Sequence, residues 1–157
     1  MIIGHGYDVH RLAQDRKLYL GGVEIPFEKG LAGHSDADVL LHAVMDALLG
    51  AAAMPDIGQL FPPTDERYRG IRSTLLLEQV SARLREAGWQ VENVDATLIA
   101  QRPRLAEFLP GMRLCMAGIL GVDPQQVNVK ATTEEELGFT GREEGIAAHA
   151  VCLLTRA

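Results

Sequence analysis

Residues 2–10 alternate with the period of a strand, Gly4, Gly6, Asp8 and His10 on one side and Ile3, His5, Tyr7 and Val9 on the other. Short apolar runs at 17–20 and 23–27 flank Gly21-Gly22, which signals a hairpin. A glycine-bearing loop, EKGLAGHS, follows. The apolar spacing then becomes helical and continues to about Ala52, with Ser35 or Asp36 as the candidate cap. Met54 to Gly70 is rich in proline and glycine and reads as a long functional loop with room for a short helical turn. A helix is predicted over 73–87, ended by Gly88, then a strand over 89–101. The pattern goes on with a helix over 105–120, interrupted or started near Pro110, and a strand over 126–132. A short helical piece near 134–137, a Gly-Phe-Thr-Gly turn and a last strand over 145–155 complete it.

This order predicts one α+β domain over 1–157, a mixed β-sheet with helices packed on one face. The uncovered face must meet solvent or another subunit. The last strand is apolar on both sides, Ile146, Ala148, Ala150 and Cys152 against Ala147, Val151 and Leu153, so an oligomer is expected. The hydrophobic content of 47% is that of an ordinary globule, and no apolar run reaches the roughly 18 residues of a membrane span. No signal peptide is visible in MIIGHGYDVH. The net charge of -6 argues against nucleic acid as a partner but allows a small phosphorylated substrate. Cys115 and Cys152 lie in apolar stretches and read as free thiols, which makes the cytoplasm the expected location.

The chemistry concentrates in a few places. Asp8-x-His10 puts two metal-ligand types on one strand face, and His42 stands in the first long helix. One carboxylate and two imidazoles would leave a fourth position open, the plan of a catalytic rather than a structural zinc site. Iron and manganese remain alternatives. Asp38, His42 and Asp46 share a helix stripe, so Asp38 or Asp46 is expected to orient the second nitrogen of His42. His34, Ser35 and Asp36 precede a helix N-terminus and read either as anion donors or as a cap with an exposed histidine. In DIGQLFPPTD, the carboxylates Asp56 and Asp65 could grip sugar-like hydroxyls. Thr132 and Thr133 end a strand. Glu134, Glu135 and Glu136 follow, either as ligands for a hard cation or as a capping box of Thr133 with Glu136. The role of Lys130 stays open. No nucleophile motif and no Walker loop is present, but phosphoryl transfer needs mainly alignment and charge neutralisation.

Taken together, GHGYDVH, GHSDADVLLHAVMDALLGAAAMPDIGQLFP, NVDATLIAQRP, VNVKATT and LGFTGREEGIAAHA resemble the 2-C-methyl-D-erythritol 2,4-cyclodiphosphate synthase family of the non-mevalonate isoprenoid pathway, across essentially the whole chain. The resemblance implies a homotrimer with sheets facing the trimer interior and sites at subunit interfaces. It implies Zn2+, or another divalent ion, on Asp8, His10 and His42, and Mg2+ or Mn2+ near Glu135, bridging the substrate diphosphate. The implied reaction is that of a phosphorus–oxygen lyase: 4-diphosphocytidyl-2-C-methyl-D-erythritol 2-phosphate cyclises and expels CMP. His34 and Thr133 would stabilise the transition state. Ser35, Asp56, Ile57, Gly58, Phe61 and Asp65 would hold the phosphate and methylerythritol. Ala100, Pro103, Arg104, Leu105, Ala106 and Thr132 would form the cytidine pocket. Phe139 and Arg142 would contact substrate or line a central cavity able to take an isoprenoid diphosphate. Two positions depart from the family pattern, Pro63 for a polar residue and Arg104 for lysine. His5 and His149 are expected on the outward face, either near a trimer axis or in solvent.

Overall fold

The computed structural model describes residues 1–157. β1 (Ile2–Gln14) and β7 (Gly145–Arg156) pair antiparallel from Ile2 opposite Leu154 to Arg11 opposite Gly145. On the other side of β7 lies β5 (Trp89–Ile99), antiparallel, and β6 (Val127–Thr132) pairs parallel with β5. β4 (Lys29–Leu31) closes the sheet beside the far end of β1, giving the order β4-β1-β7-β5-β6. The sheet is therefore mixed, as the pattern predicted. β2 (Leu18–Leu20) and β3 (Val23–Ile25) form the expected hairpin as a separate two-stranded sheet. Its turn residues Gly21 and Gly22 have φ of 61° and 80°, which only glycine adopts without strain. β4 falls in the stretch expected to be loop. Three residues with a central glycine carry no strand pattern of their own; pairing with Leu12 to Gln14 makes them a strand and lengthens β1 beyond its alternating segment.

α1 (Val39–Ala51) lies across β1 and β7 and is buried along nearly its whole length. A Cβ built on Gly6 would stand 1.9 Å from the Ala43 carbonyl oxygen, and one on Gly4 equally close to that of Ala47. The helix thus rests on bare β1 backbone. Asp8, next on the same strand face, comes up against His42. Neither Ser35 nor Asp36 caps this helix. Asp38 does, accepting from Leu41 N at 3.1 Å, and its carboxylate also accepts from Gly21 N at 2.9 Å and Gly22 N at 2.8 Å. Burial and the nearby Asp36 raise the Asp38 pKa to about 6.

α2 (Ile57–Leu60) and a 3-10 turn at Glu66–Tyr68 lie within the proline-rich loop. α3 (Ser73–Glu86) and α4 (Leu109–Leu120) complete the helical layer, and α4 carries Pro110 in its first turn after a 3-10 turn at Ala106–Phe108. Residues 134–137 are not helical. Glu135 and Glu136 have φ of 55° and 63°, outside the right-handed helical region. Thr133 Oγ1 accepts from Glu135 N at 3.3 Å, while Glu136 N–H donates to Gln101, so the Thr133–Glu136 capping box does not form. The Gly-Phe-Thr-Gly segment, expected as a turn, is the short helix α5 (Gly138–Gly141).

Helices cover one sheet face. The other presents Ile3, Tyr7, Val9 and Val151, exposed at 67%, 46%, 43% and 37%. Lys130, also on that face, pairs with Asp95 at 2.6 Å. Cys115 and Cys152 are free thiols, and burial raises the Cys152 pKa to about 11. No helix is long and apolar enough to cross a membrane.

Candidate metal centre and adjoining cleft

β1 supplies Asp8 and His10 from one face, and α1 brings His42 over them. Asp8 Oδ2 is 2.9 Å from His10 Nε2 and 3.0 Å from His42 Nδ1, and the two nitrogens are 3.1 Å apart. The outer nitrogens fix the tautomers. His10 Nδ1 lies 2.8 Å from the Ala32 carbonyl, which can only accept, so Nδ1 carries the proton in the neutral ring. His42 Nε2 lies 3.0 Å from Ser73 Oγ, and Ser73 Oγ in turn donates to Asp36 Oδ1 at 2.5 Å. The serine is committed as donor to the carboxylate and accepts from His42 Nε2–H. Ser35 Oγ stands 3.3 Å from the same nitrogen.

Both inward nitrogens then present lone pairs beside a carboxylate oxygen. Three acceptors at about 3 Å repel unless positive charge sits among them, so the donor set fits a divalent ion. Tetrahedral zinc, with bonds of about 2.0–2.1 Å, sets its donors about 3.3 Å apart, close to the edges of this triangle. The Asp8 carboxylate shows the same demand for positive charge: burial pushes its pKa up, but protons carried by the facing His10 and His42 nitrogens, where no ion takes their place, outweigh it and hold the carboxylate well below its usual range. Burial lowers the His10 pKa, and Asp8 overrides it, giving a net rise. Asp8, His10 and His42 are the one cluster of three or more metal-ligand side chains in the chain.

The expected orienting residues are different ones. Asp38 caps α1, and Asp46 accepts from Ile57 N at 3.0 Å, which fixes the start of α2. The buried pair Ser73 and Asp36 orients His42 instead. Arg72 Nε reaches Asp36 Oδ2 at 3.2 Å, and its guanidinium stacks 4.1 Å from the Tyr19 ring centroid. Ser73 opens a helix, where serine ordinarily reads as a cap; nothing in the sequence links it to His42.

A cleft of about 150 Å³ opens over the triad, lined by His10, His34, Ser35, His42, Ile57, Gly58, Phe61, Pro63, Tyr68 and Leu76. Of the residues expected to hold phosphate and methylerythritol, Ser35, Ile57, Gly58 and Phe61 line this cleft, joined by Tyr68 and Leu76, which the motifs did not single out. His34 Nε2 meets the Asp65 carbonyl at 2.9 Å. The Asp65 carboxylate is taken up by Arg67, at 2.6 Å to Nη2, and Asp56 caps α2 by accepting from Gln59 N at 3.0 Å. Neither carboxylate lines the cleft.

A second cavity, about 260 Å³, is lined by Ala100, Gln101, Pro103, Arg104, Leu105, Ala106, Leu109, Ala131, Thr132 and Thr133. It shares no residue with the cleft. The register measures the gap: Val9 faces Ala147, Ala147 faces Ile99, and Ile99 faces Thr132. Three strand spacings amount to about 14 Å. Thr133 and Glu135 therefore sit at the β6 edge, away from the triad of the same chain. Phe139 lies on α5, partly exposed, and Arg142 Nε pairs with Glu144 at 2.8 Å. His5 and His149 meet on the uncovered face at 3.1 Å.

The family model described as YgbB matches residues 1–155. The 2-C-methyl-D-erythritol 2,4-cyclodiphosphate synthase of Syntrophomonas wolfei is 59% identical over 157 residues, covering 100% of both chains. Its namesake from Lachnospira eligens is 60% identical over 154 residues, 98% of this chain and 84% of that one. Among solved structures, the bifunctional IspDF of Campylobacter jejuni superposes with a TM-score of 0.96 at 43% identity, over 99% of this chain and 42% of that chain. The CDP complex of Plasmodium falciparum IspF superposes with a TM-score of 0.86 at 32% identity, over 99% of this chain and 96% of that chain.

Proposed function

The chain belongs to the YgbB family, and from that premise we propose that it converts 4-diphosphocytidyl-2-C-methyl-D-erythritol 2-phosphate to 2-C-methyl-D-erythritol 2,4-cyclodiphosphate and CMP. An oxygen of the 2-phosphate forms a bond to the β-phosphorus. The bond from that phosphorus to the oxygen bridging the α-phosphorus breaks, and this oxygen departs on CMP. No water is consumed. Nucleophile and target belong to one molecule, so the protein's task is to fold the substrate; alignment of this kind lowers a barrier by up to about 7–11 kcal/mol.

The observation that carries the reading is the inward-facing acceptor triangle of Asp8, His10 and His42 beneath a cleft holding His34 and Ser35. A divalent ion there, zinc by the chemistry of the donors, and a magnesium or manganese ion near Glu135 would supply Lewis-acid charge neutralisation on the diphosphate. The imidazole of His34 and the hydroxyl of Ser35 orient the anionic oxygens. Ile57, Gly58 and Phe61 form the wall against methylerythritol; Asp56 and Asp65, held in the free chain by Gln59 N and Arg67, would turn toward its hydroxyls on binding. Ala100, Pro103, Arg104, Leu105, Ala106 and Thr132 receive cytidine, and Thr133 stabilises charge at the transferring phosphorus.

Cleft and cytidine cavity lie on opposite sides of β7, about three strand spacings apart. A closed ring of copies would bring the β6 edge of one chain to the metal cleft of the next, and a cyclic trimer is the assembly this reading takes. The apolar residues of the uncovered face, Ile3, Tyr7, Val9 and Val151, would turn inward, with Phe139 and Arg142 at a central cavity suited to an isoprenoid diphosphate. The free thiols suit a cytoplasmic setting.

Metal removal tests the reading. Dialysis against a chelator, checked by metal analysis, is expected to abolish CMP release while circular dichroism shows the fold retained; readdition of zinc and magnesium restores release. Undiminished CMP release from metal-free protein would refute it.

A further inference from the structure

The chain has five histidines, and His10, His34 and His42 line the cleft. The other two, His5 and His149, lie 144 positions apart and meet on the uncovered sheet face. In the β1–β7 ladder His5 stands opposite Val151 and His149 opposite Tyr7, so the imidazoles are diagonal neighbours on one face. His5 Nε2 is 3.1 Å from His149 Nδ1, the same separation that the two imidazole nitrogens of the triad show. The Tyr7 ring packs 4.7 Å from that of His149 and steadies it. Because both residues sit within a continuous stretch of paired strands, the backbone is already ordered and binding has only side-chain rotamers to fix. No carboxylate or thiol joins them in a larger cluster. Two nitrogens without oxygen donors suit a borderline ion rather than magnesium or calcium.

We propose that His5 and His149 form a second metal site, a two-imidazole chelate for a divalent ion of the copper, nickel and zinc class, separate from Asp8, His10 and His42. One chain supplies both ligands, so the site does not depend on assembly. In the trimer proposed above this face turns inward, which leaves the remaining coordination positions to water in the central cavity or to groups from neighbouring copies.

Nickel is the probe. Zinc-loaded protein, freed of excess metal, is dialysed against Ni2+ above pH 7, where imidazole is free to ligate, and both metals are counted. One nickel per chain is expected in addition to the retained zinc. His5→Gln and His149→Gln, checked by thermal melting for intact folding, are each expected to weaken nickel binding by more than about tenfold, since loss of a ligand exceeds the usual outer-shell effect. Tyr7→Phe is expected to retain it. Absence of the extra nickel, entry only by one-for-one displacement of zinc, or survival of binding in either glutamine variant would overturn the proposal; the last result would place the ion on the N-terminal amine or another surface group.

Discussion

His42 reaches the centre with one nitrogen and is held by the other. Asp36, Ser73 and His42 form a chain of hydrogen bonds, 2.5 Å then 3.0 Å, that ends on the ligand imidazole. It fixes which nitrogen carries the proton and aims the other at Asp8. Ser73→Ala is expected to weaken metal affinity by about 10–100-fold, measured by competition with a chromophoric chelator, with the fold intact; Ser73→Thr, which keeps the hydroxyl, is expected to recover most of it. Equal affinity in the alanine variant would assign the orienting role to Ser35. At this scale the three ligands were legible because each follows from a local period: two residues along a strand, and one polar position on an apolar helix. Ser73 and Asp36 were not legible, because their meeting depends on contacts 31 and 37 positions apart. Asp38, read as a candidate orienting group, serves instead as cap and hairpin anchor.

Among the elements, the contact of α1 with β1 sets the ligand distances. Gly6 leaves no side chain between the strand and the Ala43 carbonyl, where a Cβ would fall at 1.9 Å. Gly6→Ala must push the helix away or distort the strand. A loss of about 1–3 kcal/mol is expected in denaturant unfolding, together with weaker metal binding, because Asp8 and His42 approach from the two elements being separated. Unchanged stability and affinity would show that the packing is not what sets the site. The long strands and helices were legible from their periods. β4 was not, since its three residues become a strand only through β1, and the Gly-Phe-Thr-Gly helix was hidden by glycines that ordinarily mark a turn.

For the whole molecule, the spacing of the two half-sites matters most. The sequence motifs assigned Thr133 and His42 to one reaction, yet β1, whose Asp8 meets His42, and β6, which ends next to Thr133, lie on opposite sides of β7. Local pattern holds no information on which copy completes which site; the two-sided apolar β7 was its only sign of assembly. If neighbours share sites, His42→Ala and Thr133→Ala chains, each impaired alone, should complement when refolded together. A random cyclic trimer then regains about a quarter of its sites, read as CMP release. Mixtures no better than the separate variants would put each site within one chain.

In the proposed reaction phosphate, not water, attacks the β-phosphorus over the Asp8, His10 and His42 centre. Turnover of the cytidylyl substrate in oxygen-18 water, followed by phosphorus NMR, separates the two nucleophiles. The expected result is a cyclic diphosphate and CMP, both free of the heavy isotope. A linear diphosphate carrying solvent oxygen would contradict it and make this centre a hydrolase.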